Sequence, residues 1–222
     1  MTTVAGCVQD LSTNQLGTLD NTYNHAGRLL TTTMTVGGHA PVLIASNSYD
    51  ELGRLASEGR NGNGKLETTY KYNIRSWVES MGGDLFSEHL YYNTNPYGGK
   101  ALYGGNISAM DWTIGDFAGK TRGYALDYDD LGQLKTAKYM EDGNESDKYS
   151  TTYSYDLMGN ILTLTRRGML DNKGYGLVDD LTYSYNGNQV TRISDRVSGP
   201  YYKDAMHFVD GADAEIEYKY GR

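Results

Sequence analysis

The chain has little from which a reactive or charged site is built. A single cysteine, Cys7, rules out an internal disulfide framework. Its setting, Val4-Ala5-Gly6-Cys7, resembles a lipoprotein processing box, but only Met1, Thr2 and Thr3 precede it. With no basic region or apolar stretch there, Cys7 is read as a plain terminal cysteine. There is no Lys/Arg run, and the net charge is −8, so a nucleic-acid or anionic-lipid partner is not expected. The longest apolar stretches, such as residues 40–45, are far too short to span a bilayer. Proline is scarce at three residues, as are phenylalanine at three and tryptophan at two, so turns and aromatic packing must come from other residues.

Chemical motifs are equally thin. Gly59-Arg60-Asn61-Gly62-Asn63-Gly64-Lys65 has the glycines and lysine of a phosphate loop, but Leu66 stands where a magnesium-binding hydroxyl is needed. Gly115-Asp116-Phe117-Ala118-Gly119-Lys120-Thr121 has the hydroxyl and is one residue short. Neither precedes a helical pattern whose N-terminus would hold phosphate, so turn glycines explain both. Asp127-Tyr128-Asp129-Asp130-Leu131-Gly132 opens like a calcium loop, yet Leu131 takes a ligand position and Lys138 the place of the bidentate glutamate. His25, His39, His89 and His207 lie without metal-ligand spacing. No Gly-x-Ser-x-Gly elbow is present, and the acid pairs Asp129-Asp130 and Asp179-Asp180 point to opposite faces on a strand. No catalytic residue, metal or cofactor is therefore assigned, and the expectation is a non-enzyme.

What is abundant is tyrosine and glycine, at 21 and 28 residues. Tyrosine favours strands, its ring packing on the sheet while its hydroxyl reaches water or a carbonyl. Glycine supplies positive φ for tight turns. Four segments align without gaps: Tyr23-Asn24-His25-Ala26-Gly27-Arg28-Leu29, Tyr49-Asp50-Glu51-Leu52-Gly53-Arg54-Leu55, Tyr128-Asp129-Asp130-Leu131-Gly132-Gln133-Leu134 and Tyr155-Asp156-Leu157-Met158-Gly159-Asn160-Ile161. Degenerate copies begin at Tyr72, Tyr103, Tyr185 and Tyr218, so anchors recur roughly every 23 to 35 residues, the length of one hairpin and its connection. Asp or Asn after the tyrosine bonds the backbone two residues on, the glycine takes positive φ in a type I turn closing into a bulge, and Leu or Ile opens the returning strand. Upstream, Tyr153 and Tyr155 share one face, as do Leu181, Tyr183 and Tyr185. Asp142-Gly143 and Asn186-Gly187 are further hairpin signals. The expectation is an all-β fold, an antiparallel ribbon of successive hairpins, curled or spiralling. An irregular segment, 1–20, precedes an array over 21–222 that is interrupted by an irregular insertion at about 82–122. One continuous array is preferred over two domains. The anchor tyrosines are expected to form a cross-strand ladder.

These segments, with Gly105-Asn106-Ile107-Ser108-Ala109-Met110 and Trp112, resemble the Tyr-Asp repeat of the Rhs family of bacterial surface and secreted proteins and animal teneurins. The likeness runs from about Asn21 to the C-terminus. It implies a β-ribbon that spirals into a hollow shell, enclosing a C-terminal toxin in complete members or serving adhesion. The chain lacks the Asp-Pro-containing core segment of such shells and a C-terminal effector, and it is expected to be a shell fragment or a degenerate relative. The resemblance implies a surface or secreted location and a protein partner, either a second copy or the rest of a larger shell. A glycan is the alternative partner, with the aromatics outside the repeat positions, Tyr91, Tyr97, Trp112, Tyr201 and Tyr202, as candidate contacts. An outer-membrane barrel is disfavoured by Lys, Asp and Thr on faces that would meet lipid, and by a low mean hydropathy. Bare edge strands must be covered, so the chain is expected to self-associate or to block its ends with the first twenty residues and the loop after Ile193.

Overall fold

The computed structural model describes residues 2–10, 15–115, 119–171, 173–199, 202, 206–209, 211 and 214–220. Its elements are all strands. The first eight are β1 (Thr2–Asp10), β2 (Gln15–Tyr23), β3 (Leu29–Val36), β4 (Val42–Tyr49), β5 (Leu55–Arg60), β6 (Asn63–Tyr72), β7 (Val78–Gly82) and β8 (Phe86–Tyr91). There follow β9 (Ala109–Ile114), β10 (Arg122–Tyr128), β11 (Leu134–Glu141), β12 (Asn144–Glu145), β13 (Thr151–Tyr155), β14 (Ile161–Met169), β15 (Tyr175–Asn186) and β16 (Gln189–Asp195). From β1 to β8 each strand pairs antiparallel with the next, as the repeat requires, and from β10 to β16 the same holds, with β11 pairing β13 and β12 a short side branch on β11.

The chain forms two compact units. One comprises Met1–His89 and Trp112–Gly119, the other Leu90–Asp111 and Lys120–Arg222. The exchanges fall inside the segment marked as irregular, where residues 92–108 connect β8 to β9. In the first unit, residues 2–10, expected to be irregular, instead form β1, paired from Thr2↔Tyr23 to Asp10↔Gln15. The physical reason is that β2 carries the first anchor tyrosine and has a free side, which the β-branched Thr2, Thr3, Val4 and Val8 are suited to pair. Strands of this unit are mostly half-buried, and hydroxyl pairs join them, Thr22 to Thr31 at 2.6 Å and Ser48 to Ser57 at 2.8 Å.

The second unit holds the buried core side chains among the described residues. Ala109, Ala137, Tyr139, Met140, Val178 and Leu181 come from β9, β11 and β15. Beside them Tyr124, Tyr139, Tyr149 and Tyr175 form a chain of edge-to-face rings with centroids 5.1 to 5.5 Å apart.

Candidate functional site: the contacts between repeats

Each Tyr-Asp segment folds into the same turn. Asp156 Oδ1 accepts from the N–H groups of Met158 at 2.8 Å and Asn160 at 2.9 Å. The Gly159 N–H donates to the Asp156 carbonyl, and the Asp156 N–H to the Asn160 carbonyl. Asn24, Asp50, Asn73 and Asp129 close their turns through the same backbone pair, and the side chains of Asn24, Asn73 and Asp129 likewise accept two N–H groups. The sequence points to the bond two residues on; the second, four residues on, is what draws the returning strand back. The turn glycines Gly27, Gly53, Gly132 and Gly159 lie at φ +75° to +85°, and in the degenerate copy Ser76 takes their place at +62°. A bulge falls at six anchors, setting Tyr23, Tyr49, Tyr72, Tyr128, Tyr155 and Tyr185 opposite Leu29, Leu55, Val78, Leu134, Ile161 and Val190. Hydrogen bonds from the Asn160 side chain hold the Asp156 carboxyl below the usual carboxylate range. For Asp50, partial burial pushes the carboxyl up but is outweighed by bonds from Arg54, so it too is lowered.

The tyrosine hydroxyl explains why the anchor is tyrosine. Tyr49 donates to the carbonyl of Leu29 at 3.0 Å, Tyr72 to Leu55 at 2.9 Å, Tyr128 to Ile107 at 2.9 Å, Tyr155 to Leu134 at 2.8 Å and Tyr185 to Ile161 at 2.7 Å. In each case the acceptor is the closing apolar residue of the preceding copy, so the expected ladder is a series of hydroxyl-to-backbone clasps. A second contact runs the other way. The polar residue after the glycine reaches the next turn: the Arg28 and Arg54 guanidinium carbons lie 5.1 and 4.6 Å from the ring centroids of Tyr49 and Tyr72. Arg54 Nη1 donates to the Asn73 carbonyl at 3.3 Å, and Asn160 Nδ2 to Asn188 Oδ1 at 3.3 Å. A Cβ on Gly159 would stand 2.9 Å from Gln133 Nε2, and one on Gly53 would collide with Arg28, so these glycines also make room for the preceding copy. The sequence pattern left this polar position without a role; its recurrence as Arg, Gln or Asn is the signal that marks it.

Among the aromatics outside the repeat, one pair shares a partner. Tyr91 and Tyr97 do meet, their hydroxyls donating to Asp111 Oδ2 at 2.9 and 3.3 Å. Asp111 is buried, and beside it the fully buried Ser108 donates to the carbonyls of Tyr91 and Thr94, while Asn95 Nδ2 donates to the Ser108 carbonyl. The cluster fastens the connection 92–108 to β8 and β9. Burial, then the bond and charge of Asp111, push the Tyr91 phenol up to about 12, and burial and Asp111 raise Tyr97 as well. A tyrosine that moves protons needs its pKa brought toward neutrality, so these phenols act as hydrogen-bond donors. Trp112 belongs to the other unit, Tyr202 is 40% exposed on the second, and Tyr201 lies outside the described residues.

The remaining sequence motifs are turns and strands. Asn61 and Gly62, both at positive φ, join β5 to β6 within the first phosphate-loop look-alike. In the second, Asp116, Phe117 and Ala118 lie outside the described residues. Asp142 and Gly143 make the hairpin between β11 and β12, whereas the turn expected on Asn186-Gly187 centres one residue later, with Asn186 paired to Gln189.

Neither a family model nor a curated protein sequence matches the chain. Solved structures similar to it include the pore form of the Photorhabdus luminescens Tc holotoxin, 12% identical, with a TM-score of 0.47 over 88% of this chain and 11% of that one. TcdB2–TccC3 without its hypervariable C-terminal region is 14% identical, with a TM-score of 0.38 over 88% of this chain and 12% of that one. A porin-like protein from Bacteroides uniformis is 12% identical, with a TM-score of 0.30 over 87% of this chain and 92% of that one. The chain thus spans 11 to 12% of the Tc toxin chains it resembles. By its residues and its turn geometry, it is an array of Tyr-Asp repeats similar to those of the Rhs family.

Proposed function

We propose that the chain is a non-catalytic structural and interaction module, a stretch of β-scaffold in a bacterial surface or secreted protein of the Rhs type. One observation carries this reading: the residues that recur are spent on joining one copy to the next. Five anchor hydroxyls bond the preceding copy's backbone, the turn carboxylates and amides bond their own turn, and the polar position bonds the following turn. Repetition of this kind yields a surface whose extent, rather than any pocket, is its asset. Such a module works by shape and by protein contacts, as part of a larger shell. The glycan reading is weakened by the engagement of Tyr91 and Tyr97 with Asp111.

Fractionation of the source cells with an antibody to the chain, followed by sizing and protease challenge, tests the reading. The expected result is a large, protease-resistant particle at the surface or in the medium. A freely monomeric chain that turns over a substrate, with activity lost on one acidic substitution, refutes it. Glycan-array binding abolished by Tyr91→Ala or Tyr97→Ala in a folded chain transfers the case to adhesion.

A further inference from the structure

Not every tyrosine joins one copy to the next. Tyr149 lies in the connection from β12 to β13 and Tyr175 opens β15, and neither stands at an anchor. Their rings meet edge to face, with centroids 5.4 Å apart and planes at 82°. The Tyr149 hydroxyl donates to the Tyr175 hydroxyl at 3.5 Å. Five anchor hydroxyls are turned onto backbone carbonyls, whereas here two phenol oxygens face each other. Tyr175 is 36% exposed, so a reagent in solution reaches the pair.

The pair is the outer end of the ring chain. Tyr139 is 3% exposed, and its ring centroid lies 5.1 Å from that of Tyr149 and 5.5 Å from that of Tyr124. A phenol gives up an electron readily only where its proton has a place to go, so the hydroxyl partners rank the four rings. Tyr124 donates to the Tyr149 carbonyl at 3.2 Å, and an amide oxygen is too weak a base to take the proton. Tyr139 reaches Glu141 Oε1 at 3.4 Å, a carboxylate already held by Lys148 Nζ at 2.5 Å. Tyr149 faces Tyr175, whose ring meets water. An oxidising equivalent entering at any of the four rings therefore settles at the exposed end. Coupling also needs hydroxyl-bearing edges side by side, because the unpaired spin of a phenoxyl radical lies on oxygen and on the ortho carbons. Tyr124 and Tyr139 turn their hydroxyls to different partners, while Tyr149 turns its own to Tyr175.

We propose that Tyr149 and Tyr175 form an oxidative cross-linking site, joined as dityrosine by a one-electron oxidant of the haem peroxidase and hydrogen peroxide class. Each phenol loses one electron and its hydroxyl proton, which leaves two phenoxyl radicals. A carbon–carbon bond forms between one ortho carbon of each ring, and the hydrogen on each coupled carbon moves to the oxygen of its own ring. The chain loses two hydrogens in all, and the two electrons and two protons turn one hydrogen peroxide into two waters. Rings held together by folding couple ahead of rings on separate molecules, because the encounter is already made. The bond joins positions 26 residues apart and ties the start of β15 to the connection before β13. The inference goes beyond the scaffold reading and does not depend on it: catalytic turnover by the chain would sink that reading and leave this chemistry intact.

The full chain, kept dilute, is treated with a haem peroxidase and one equivalent of hydrogen peroxide. N-acetyltyrosine in a parallel tube shows that the oxidant couples phenols. Dityrosine fluorescence, intact mass and peptide mapping are read. The expected product is a monomer lighter by two hydrogens, in which the peptides carrying Tyr149 and Tyr175 are joined. Tyr149→Phe and Tyr175→Phe keep the rings and are each expected to cut intramolecular dityrosine at least ten-fold, while Tyr153→Phe leaves it unchanged. A bond mapped to another pair, such as Tyr91 with Tyr97, overturns the proposal. So do dimers as the sole coupled product, or a chain free of dityrosine where N-acetyltyrosine has coupled. Should a phenylalanine variant fail to fold, the mapped bond in the parent chain decides.

Discussion

Replacing Tyr155 by phenylalanine isolates the clasp. The ring stays, packed beside Tyr153 with centroids 6.4 Å apart, and only the hydroxyl that donates to the Leu134 carbonyl at 2.8 Å is removed. A neutral hydrogen bond contributes about 1 kcal/mol net, and up to about 3 kcal/mol when its abandoned partner stays dry. The bond is only part-buried, so water can reach the carbonyl, and the lower figure applies. For a chain of this size, about 1 kcal/mol corresponds to a fall in Tm of roughly 2 to 4 °C. Urea unfolding followed by circular dichroism resolves that loss. Tyr153→Phe on the same strand is the control, expected to stay within about 0.5 kcal/mol. The clasps of Tyr128, Tyr155 and Tyr185 share no partners, so the triple phenylalanine variant should lose about 3 kcal/mol. That is a large part of a typical domain's 5 to 15 kcal/mol, the ~ range for folded proteins. A Tyr155→Phe chain no less stable than Tyr153→Phe refutes the idea that the hydroxyl selects tyrosine at the anchor.

Other substitutions and conditions test the turn and the buried phenols. Asp156→Asn should destabilise the chain less than Asp156→Ala in the same assay, because Asn24 and Asn73 already accept the same two N–H groups, whereas alanine accepts neither. Ser76→Gly should be neutral to stabilising by up to about 1 kcal/mol, since relief of left-handed strain at φ +62° outweighs one exposed bond from Arg54. Alkaline titration should unfold the chain cooperatively. Tyr91, Tyr139 and Tyr149 have folded pKa values raised to about 12 from 10.0. Above pH 10 the unfolded chain therefore holds fewer protons, and stability, full below that pH, falls as pH rises toward 12. Tyrosinate absorbance at 295 nm should lag free tyrosine and rise together with loss of circular dichroism; ionisation of all phenols near pH 10 with the fold intact contradicts this.

The turns were legible in the sequence because their chemistry is local. Tyrosine, Asp or Asn, glycine and Leu or Ile at fixed spacing encode a side-chain acceptor, a positive φ and a bulge within seven residues, and the structure repeats all three at Asp50, Asp129 and Asp156. Ser76 escaped because left-handed backbone is imposed there by the two backbone bonds of the turn rather than invited by glycine. The cluster of Tyr91, Tyr97, Ser108 and Asp111 was not legible, because its members are brought together only by strand pairing and share no spacing. β1 was missed for a related reason. Thr2–Asp10 carries no turn signal of its own, and its partner on β2 is what makes it a strand. The hydroxyl pairs before Tyr23, Tyr49 and Tyr155, such as Ser154 with Thr163 at 2.5 Å, could have been found as a Ser or Thr one residue ahead of the tyrosine and another two beyond the closing Leu or Ile.

The repeat has a polarity, and that polarity follows from which atom each position offers. The tyrosine hydroxyl is a donor and reaches back to an acceptor, the closing carbonyl of the copy before. The polar side chain after the glycine reaches forward to the next turn. Each copy is therefore bonded to its neighbours in both directions through different groups, and each bond is worth about 1 kcal/mol, too little to hold a hairpin alone. Two such contacts per junction, repeated, give nearest-neighbour coupling in which a copy is ordered because the next one is. The clasps fall in two runs, Tyr49 and Tyr72 in the first unit and Tyr128, Tyr155 and Tyr185 in the second, while Tyr103, the anchor of the shortened copy, is 65% exposed. Phenylalanine at the anchors would keep the burial and lose the direction, which is why a chain with 21 tyrosines carries three phenylalanines.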